Sequence, residues 1–307
     1  MSRHSEVCAS LSLILANKYK GGPSTSDPES RTMKAVLDFW GSWLKTEATS
    51  SSLESAIFES INAVAMNTLA GATARQDKSM MALVPVLTEA IASEPHGDIV
   101  ARSMGILVRD SDLLSAENHA VVKRFYKQWA YSQIVKPLYP LALPTKDGPS
   151  TAAKYRTAVL SVVSSCAFSV YEADVEPLMR LLITALGDRA TLSGQQLASA
   201  LEVLVEILSN EPDALKSHLK AIIEGAMGVY EGGLPGTGTT SRRDPSLTSS
   251  RKLVLQVLGA VPKKFEERHL LPYSPKLQRM LALACGDPVR EVRQVARLAR
   301  ASWAKVV

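Results

Sequence analysis

A helix-break-helix pattern near the C-terminal end constrains this chain most: LLPYSPKLQRMLALACGDPVREVRQVARLARASW, Leu270 to Trp303. An apolar first helix from about Pro275 meets the break Gly286-Asp287-Pro288 and is followed by a second helix with two distinct faces. Asp287 can cap that second helix, and Pro288 suits its first turn, where a missing N–H costs nothing. Val289, Val292, Ala296, Ala299 and Trp303 recur at intervals of three and four and share an apolar stripe. Arg290, Arg293, Arg297 and Arg300 recur the same way on another face. The pattern predicts two antiparallel helices, one side built for packing and the other for solvent or a partner.

The helical period recurs along the rest of the chain. Residues 3–20 read as a first amphipathic helix, closed by Gly21-Gly22-Pro23, and either a true cap or one end of a longer array. From Arg31 the period holds through Trp40, Trp43 and Leu44; Leu53, Ile57, Ile61 and Val64 mark the stripe of the next helix. Ala82 to Ile91 and Asp98 to Arg109 form another pair. Ser115 to Leu143 is a longer segment with Phe125 and Trp129 on one face, broken by Pro137 and Pro140. Ala152 to Tyr171, Pro177 to Leu186, Ser193 to Leu208 and Ala214 to Tyr230 follow as two further pairs with short connections. EGGLPGTGTTSRRDPSLTSS, Glu231 to Ser250, reads as a disordered loop insertion, after which Val254 to Val261 resumes the helical pattern.

No strand pattern competes, and 46% hydrophobic residues with only 6% aromatics favour helix packing over a sandwich. Pro85, Pro177 and Pro275 each sit near the start of an apolar helix, in LVPVLTEAI, VEPLMRLLITAL and YSPKLQRMLALA. Their separations of 92 and 98 residues give about 46 and 49 per unit if each spans two units, near the ~40 to 47 of HEAT or armadillo repeats. DPVREVRQVA resembles the second-helix signature of HEAT repeats, with Asp287, Val292, Arg293 and Ala296 in place. The expected fold is all-α: a HEAT/armadillo-like superhelical solenoid of antiparallel helix pairs. One array is expected over 1–307, with 231–250 as a loop and 270–307 as the terminal repeat.

Chemistry is sparse. Cys8, Cys166 and Cys285 are scattered without a CxxC pair, the usage of a reducing compartment. His4, His96, His119, His218 and His269 lack ligand spacing, so no metal or other cofactor is expected. HExxH, GxSxG, GxxxxGK[ST] and GxGxxG are absent. GGLPGTGTTS, Gly232 to Ser241, lacks the lysine and preceding strand of a phosphate cradle and reads as a flexible loop. The acidic pairs Glu266-Glu267 and Asp110 with Asp112 read as solvated caps rather than a catalytic dyad. No enzymatic site is therefore expected. No window approaches ~20 unbroken apolar residues, so no membrane span is expected.

The basic residues are the more informative. A net charge of +5, from 35 Lys plus Arg against 30 Asp plus Glu, permits an acidic partner without demanding nucleic acid. Arg290, Arg293, Arg297 and Arg300, partly neutralised by Glu291, form either a solvated helix face or a basic surface for an acidic groove or a phosphate backbone. The guanidinium fork suits paired carboxylates, which favours a protein partner at least as much as nucleic acid. Trp303 either packs the last hairpin or serves with these arginines as a partner anchor. Lys123, Arg124, Lys127 and Lys136 surround Phe125, Tyr126, Trp129 and Tyr131, and Phe125 and Trp129 are expected in the core.

Three stretches carry a family resemblance: VCASLSLILANKYKGG, ARSMGILVRDSDLLSAENHAVVKRFYKQWAYSQIVKPLYPL and HLLPYSPKLQRMLALACGDPVREVRQVARLARASW. Together they resemble the C-terminal part of the methyl methanesulfonate sensitivity protein 19 family, the nucleotide-excision-repair-named HEAT adaptors of cytosolic iron-sulfur protein assembly. The likeness is weakest at Glu231 to Ser250. It implies a non-catalytic adaptor in cytoplasm and nucleus whose C-terminal repeats dock other subunits of the cytosolic iron-sulfur targeting complex. Its implied clients are apo iron-sulfur proteins such as DNA helicases and polymerases. It implies no cofactor of its own, no membrane contact and no direct nucleic-acid binding. Family members are considerably longer, so the chain is expected to correspond to the C-terminal part of a longer architecture. The other reading is a generic HEAT scaffold in transport or nucleic-acid-associated complexes.

Overall fold

A computed structural model describes residues 28–111, 114, 122–143, 149–187, 194–232 and 245–306. Every regular element among them is helical, so the fold is all-α, built from helix pairs in a solenoid-like manner. The expected helix over residues 3–20 and most of the expected loop, 233–244, lie outside the described residues. The described residues group into two compact units, meeting in sequence at Tyr171 and Glu172.

In the first unit, α1 spans Pro28–Glu47, α2 Ser55–Ala74, α3 Val84–Ala92, α4 Gly97–Ser103, α5 Tyr126–Ala130, α6 Tyr139–Ala142 and α7 Pro149–Val163. Short 3-10 turns at Lys78–Leu83 and Met104–Leu107 lead into or out of these helices. The period along α2 is helical as predicted, but the buried face is not the expected one. Ile57 is exposed, while Phe58, Asn62, Ala65, Met66 and Leu69 are buried. Two non-local contacts turn the helix that way. Phe58 stacks between Trp43, at 5.2 Å, and the His96 ring, at 4.2 Å, and Asn62 donates from Nδ2 to Ser103 Oγ at 2.7 Å. The stack removes more ring surface from water than an isoleucine in that place would.

The expected core position of Phe125 is also corrected. The helix begins only at Tyr126, which leaves Phe125 in the preceding turn, 60% exposed, with the Arg124 guanidinium 5.2 Å from its ring. Trp129, inside the helix, is half-buried. Beyond Ala130 the segment widens through a π-turn, Tyr131–Val135, and then tightens into a 3-10 turn, Lys136–Leu138, with Pro137 in its first turn.

The turn Met104–Leu107 lies almost on the backbone of α7. A Cβ at Gly105 would stand 2.4 Å from the Ser161 carbonyl oxygen. Gly105 N–H donates to Ser161 Oγ at 3.1 Å, and that hydroxyl donates to Ala101 O at 3.2 Å. The approach is backbone to backbone, so nothing flexible can yield to a methyl group.

The second unit holds α8 Val175–Gly187, α9 Gly194–Asn210, α10 Leu219–Gly232, α11 Pro245–Ala260, α12 Glu267–Leu270, α13 Ser274–Ala284 and α14 Arg290–Trp303. These make three successive hairpins, α8–α9, α10–α11 and α13–α14. The second members α9, α11 and α14 pack side by side in that order, and α8 lies against α10. Two hairpin steps thus separate Pro177 at the start of α8 from Pro275 at the start of α13, as their spacing predicts. α11 begins at Pro245, inside the stretch expected as loop, because proline in a first helical turn forfeits no intrahelical bond.

Gly105→Ala is expected to destabilise the first unit by about 1 to 3 kcal/mol, the cost of overpacking a rigid contact, read as a lower urea midpoint. Gly187→Ala, whose added methyl meets open space, is the control and is expected within about 0.5 kcal/mol of neutral or slightly stabilising.

Candidate docking surface on the last hairpin

The second helix of the terminal pair buries one stripe. Val292, Ala296, Ala299 and Trp303 are each 1% exposed or less, and Val289 is half-buried. Small residues let α14 sit close to α11: a Cβ on Gly259 would lie 3.0 Å from both Cα and Cβ of Ala299. Trp303 is wholly buried, and its indole Nε1 donates to the Leu258 carbonyl at 2.7 Å. That corrects its reading as a partner anchor, because a ring sealed against α11 offers nothing to a partner. Gln278 reaches the Trp303 carbonyl at 3.4 Å and Ser274 Oγ donates to Val306 O at 3.2 Å, tying α13 to the end of α14.

The turn between the two helices is held by a buried charge. Asp287 is 3% exposed. Its Oδ2 faces Arg251 Nε of α11 at 3.2 Å and accepts from Tyr230 Oη of α10 at 3.3 Å, and its Oδ1 accepts from Val289 N–H at 2.9 Å. The expected cap is corrected: the helix starts at Arg290 with Val289 at the capping position and no side-chain cap, so Asp287 and Pro288 both precede it, and the Asp287 carboxylate pins the turn instead. Burial, and next the negative charge of Asp287, push the Tyr230 hydroxyl well above the usual tyrosine range.

The four arginines divide into two kinds. Arg293 is half-buried, and its Nη1 donates to the carbonyls of Asp287, at 2.7 Å, and Pro288, at 3.0 Å, so it braces its own turn. Arg290, Arg297 and Arg300 are exposed, with no ion-pair partner among the described residues. Glu291 does not neutralise them as expected: it pairs with Lys252 of α11 at 3.3 Å. Residues 270–307 carry seven Lys plus Arg against two Asp plus Glu, and both acids are engaged with α11. The whole formal excess of the chain, +5, equals the excess of this one segment. The outer side of α14 is thus a row of guanidinium forks over a rigid backbone, suited to paired carboxylates.

The second basic set is less available than its sequence implies. Lys127 is held by Asp110 at 2.8 Å and by the Ser165 carbonyl at 3.1 Å, and Lys136 lies 5.8 Å from the Tyr131 ring. Tyr126, half-buried with Asp110 nearby, has its hydroxyl pushed up to about 12, chiefly by burial. Lys123 and Arg124 stay exposed beside Phe125. His96 is buried in the aromatic stack and His218 faces Glu176 at 3.8 Å. Among the described residues no group of three or more His, Cys, Asp and Glu could hold a metal ion, and no helix is long and apolar enough to cross a membrane.

Stacked helix pairs closed by a hairpin with one buried and one basic face define a HEAT/armadillo-like helical protein. Residues 4–261 match the family described as RNAPII transcription regulator C-terminal, MMS19_C, and because that is most of the chain, the chain belongs to the MMS19 family. It is also similar to the DNA repair/transcription protein mms19 of Schizosaccharomyces pombe (strain 972 / ATCC 24843), 24% identical over 208 residues. That stretch is 67% of this chain and 19% of the relative, so the chain spans only a small part of the relative's length. The family match ends before α12, so the arginine-bearing hairpin lies beyond the matched residues.

The raised Tyr230 hydroxyl has a defined sign. Its folded value lies above the ~10 of an unfolded tyrosine, so its contribution is present below about pH 10 and is lost as pH rises further. Urea midpoints should therefore fall between about pH 10 and 12 in the native chain. The fall should be shallower in Tyr230→Phe, with the remainder traceable to Tyr126 and Tyr155, whose hydroxyls burial also raises.

Proposed function

We propose that this chain is a non-catalytic adaptor module of the cytosolic iron-sulfur protein assembly targeting complex. It helps deliver clusters to apoproteins of DNA replication, repair and genome maintenance. Membership of the MMS19 family over residues 4–261 is the observation that carries the reading. The stacked helix pairs support it, because such arrays expose broad, rigid surfaces and need no catalytic centre to act. The module works in cytoplasm and nucleus. Its partners are the other targeting subunits and apo iron-sulfur clients such as DNA helicases and polymerases. It holds no cofactor and touches neither membrane nor nucleic acid directly.

Docking of the targeting subunits is assigned to the exposed face of α14, through Arg290, Arg297 and Arg300. Arg293 supports that face from the turn, and Trp303 supports it from beneath. Three uncompensated guanidinium groups on one helix form a surface that an acidic partner would neutralise at little desolvation cost. A HEAT scaffold that binds nucleic acid is the second reading, favoured by the same row of free arginines. Titration with duplex DNA separates the two, since phosphate contacts weaken steeply with salt.

The double variant Arg297→Glu/Arg300→Glu spares the Arg293 brace and should keep native helical content. Co-purification with the targeting subunits is expected to drop about tenfold or more, as for loss of interfacial charge pairs. Undiminished recovery would remove the assigned surface. Salt-sensitive DNA binding without subunit recovery would favour the second reading.

A further inference from the structure

A groove of about 310 Å³ opens in the second unit where the chain passes from α11 through the 3-10 turn Val261–Lys263 to α12, facing the end of α14. Pro262, Phe265, Leu270 and Val306 make its apolar lining, and Lys263 and Lys305 contribute the basic groups. Both lysines are exposed and have no ion-pair partner among the described residues. The neighbouring acid Glu266 is already held by Arg268 at 2.7 Å. On the α14 side the groove meets Ser302, whose hydroxyl donates to the Leu298 carbonyl at 3.2 Å and keeps its oxygen free to accept. Leu298, one turn earlier on that flank, is 71% exposed and prolongs the apolar track.

We propose that this groove receives an acidic linear segment of a partner protein. One apolar side chain of the segment seats against Pro262 and Phe265, above the buried floor of Leu270 and Val306, and its carboxylates lie beside Lys263 and Lys305. The volume stands at the lower end of ligand pockets, about 300 Å³, which suits one or two side chains of a peptide better than a whole cofactor. The backbone N–H of the segment lies toward Ser302. A nucleic acid fits less well: two ammonium groups do not track a phosphate backbone, and Phe265 is half-buried rather than presented for stacking. The site is separate from the arginine row: none of Arg290, Arg297 and Arg300 lines the groove, and Leu298 and Ser302, four residues apart, share a flank of α14 turned away from Arg300. It adds a second docking point to the adaptor reading and stands without it.

The test is selection of a random phage-displayed peptide library on the full chain, followed by anisotropy of the fluorescein-labelled peptides that emerge. The expected winners carry Asp or Glu beside a Leu, Phe or Trp. Their affinity should fall about tenfold or more in Lys263→Glu/Lys305→Glu and survive in Lys263→Arg/Lys305→Arg, with circular dichroism unchanged in both. No enrichment, winners lacking acidic residues, equal binding to the charge-reversed chain, or tighter binding of a labelled single-stranded oligonucleotide would each overturn the proposal. Binding by Arg297→Glu/Arg300→Glu should be native. In the native chain, absence of peptide winners with intact subunit recovery would therefore sink the groove alone, and peptide binding without any subunit recovery would sink the adaptor reading alone.

Discussion

A helix with a single apolar stripe has to bury it against another helix, and in the second unit that need is met around α11. This helix packs against α9, α10 and α14, and its Val254, Leu255, Val257 and Leu258 are each fully buried. The terminal pair can dock only by laying its own stripe there. Gly259 and Ala299 permit an approach so close that a Cβ on Gly259 would lie 3.0 Å from Ala299 Cα, and Trp303 fills the space beside them and caps the Leu258 carbonyl. The large hydrophobic term and a specific hydrogen bond act at the same place. What remains outside follows from what was buried: with the Val292–Ala296–Ala299–Trp303 stripe inward, the arginines have only the outward side.

The Asp287 network converts that packing into a fixed geometry. Burying a carboxylate and a guanidinium is expensive, and the gain over an apolar pair is small at best. Its effect is one of direction. Asp287 binds Arg251, Tyr230 and the Val289 N–H at once, so the turn can sit in one register only. Arg293 then closes over the Asp287 and Pro288 carbonyls from the other side. The exposed arginines are therefore held on a helix whose entry angle is set by three separate elements, and a rigid row of charges loses little entropy when a partner arrives.

What could be read from the sequence was what depends on local spacing. The stripe and the basic face of α14, the break at Gly286-Asp287-Pro288 and the two-step interval between Pro177 and Pro275 are all properties of neighbours along the chain. Long-range contacts were hidden. Nothing in SAIFESINAVAMNTL says that Phe58 rather than Ile57 turns inward, because the His96 ring that decides it stands 38 residues away. Glu291 looked like a neutraliser of adjacent arginines until Lys252, from another hairpin, took it. Phe125 was misplaced for a different reason: it shares a helical interval with Trp129 but precedes the first turn, so periodicity counted a residue that no helix contains. The groove at Lys263 and Lys305 could not be foreseen, since its walls come from segments about forty residues apart.

Hydroxyl-radical footprinting of the chain, free and mixed with the targeting subunits, tests most directly whether the outward side of α14 is the docking face. Arg297 and Arg300 stand exposed on that side, and Trp303, intrinsically the more reactive, is sealed beneath. Docking there requires Arg297 and Arg300 to be labelled in the free chain and protected in the mixture, with Trp303 silent in both. Labelling of Trp303 in the free chain, or labelling of Arg297 and Arg300 unchanged by bound subunits, would contradict it.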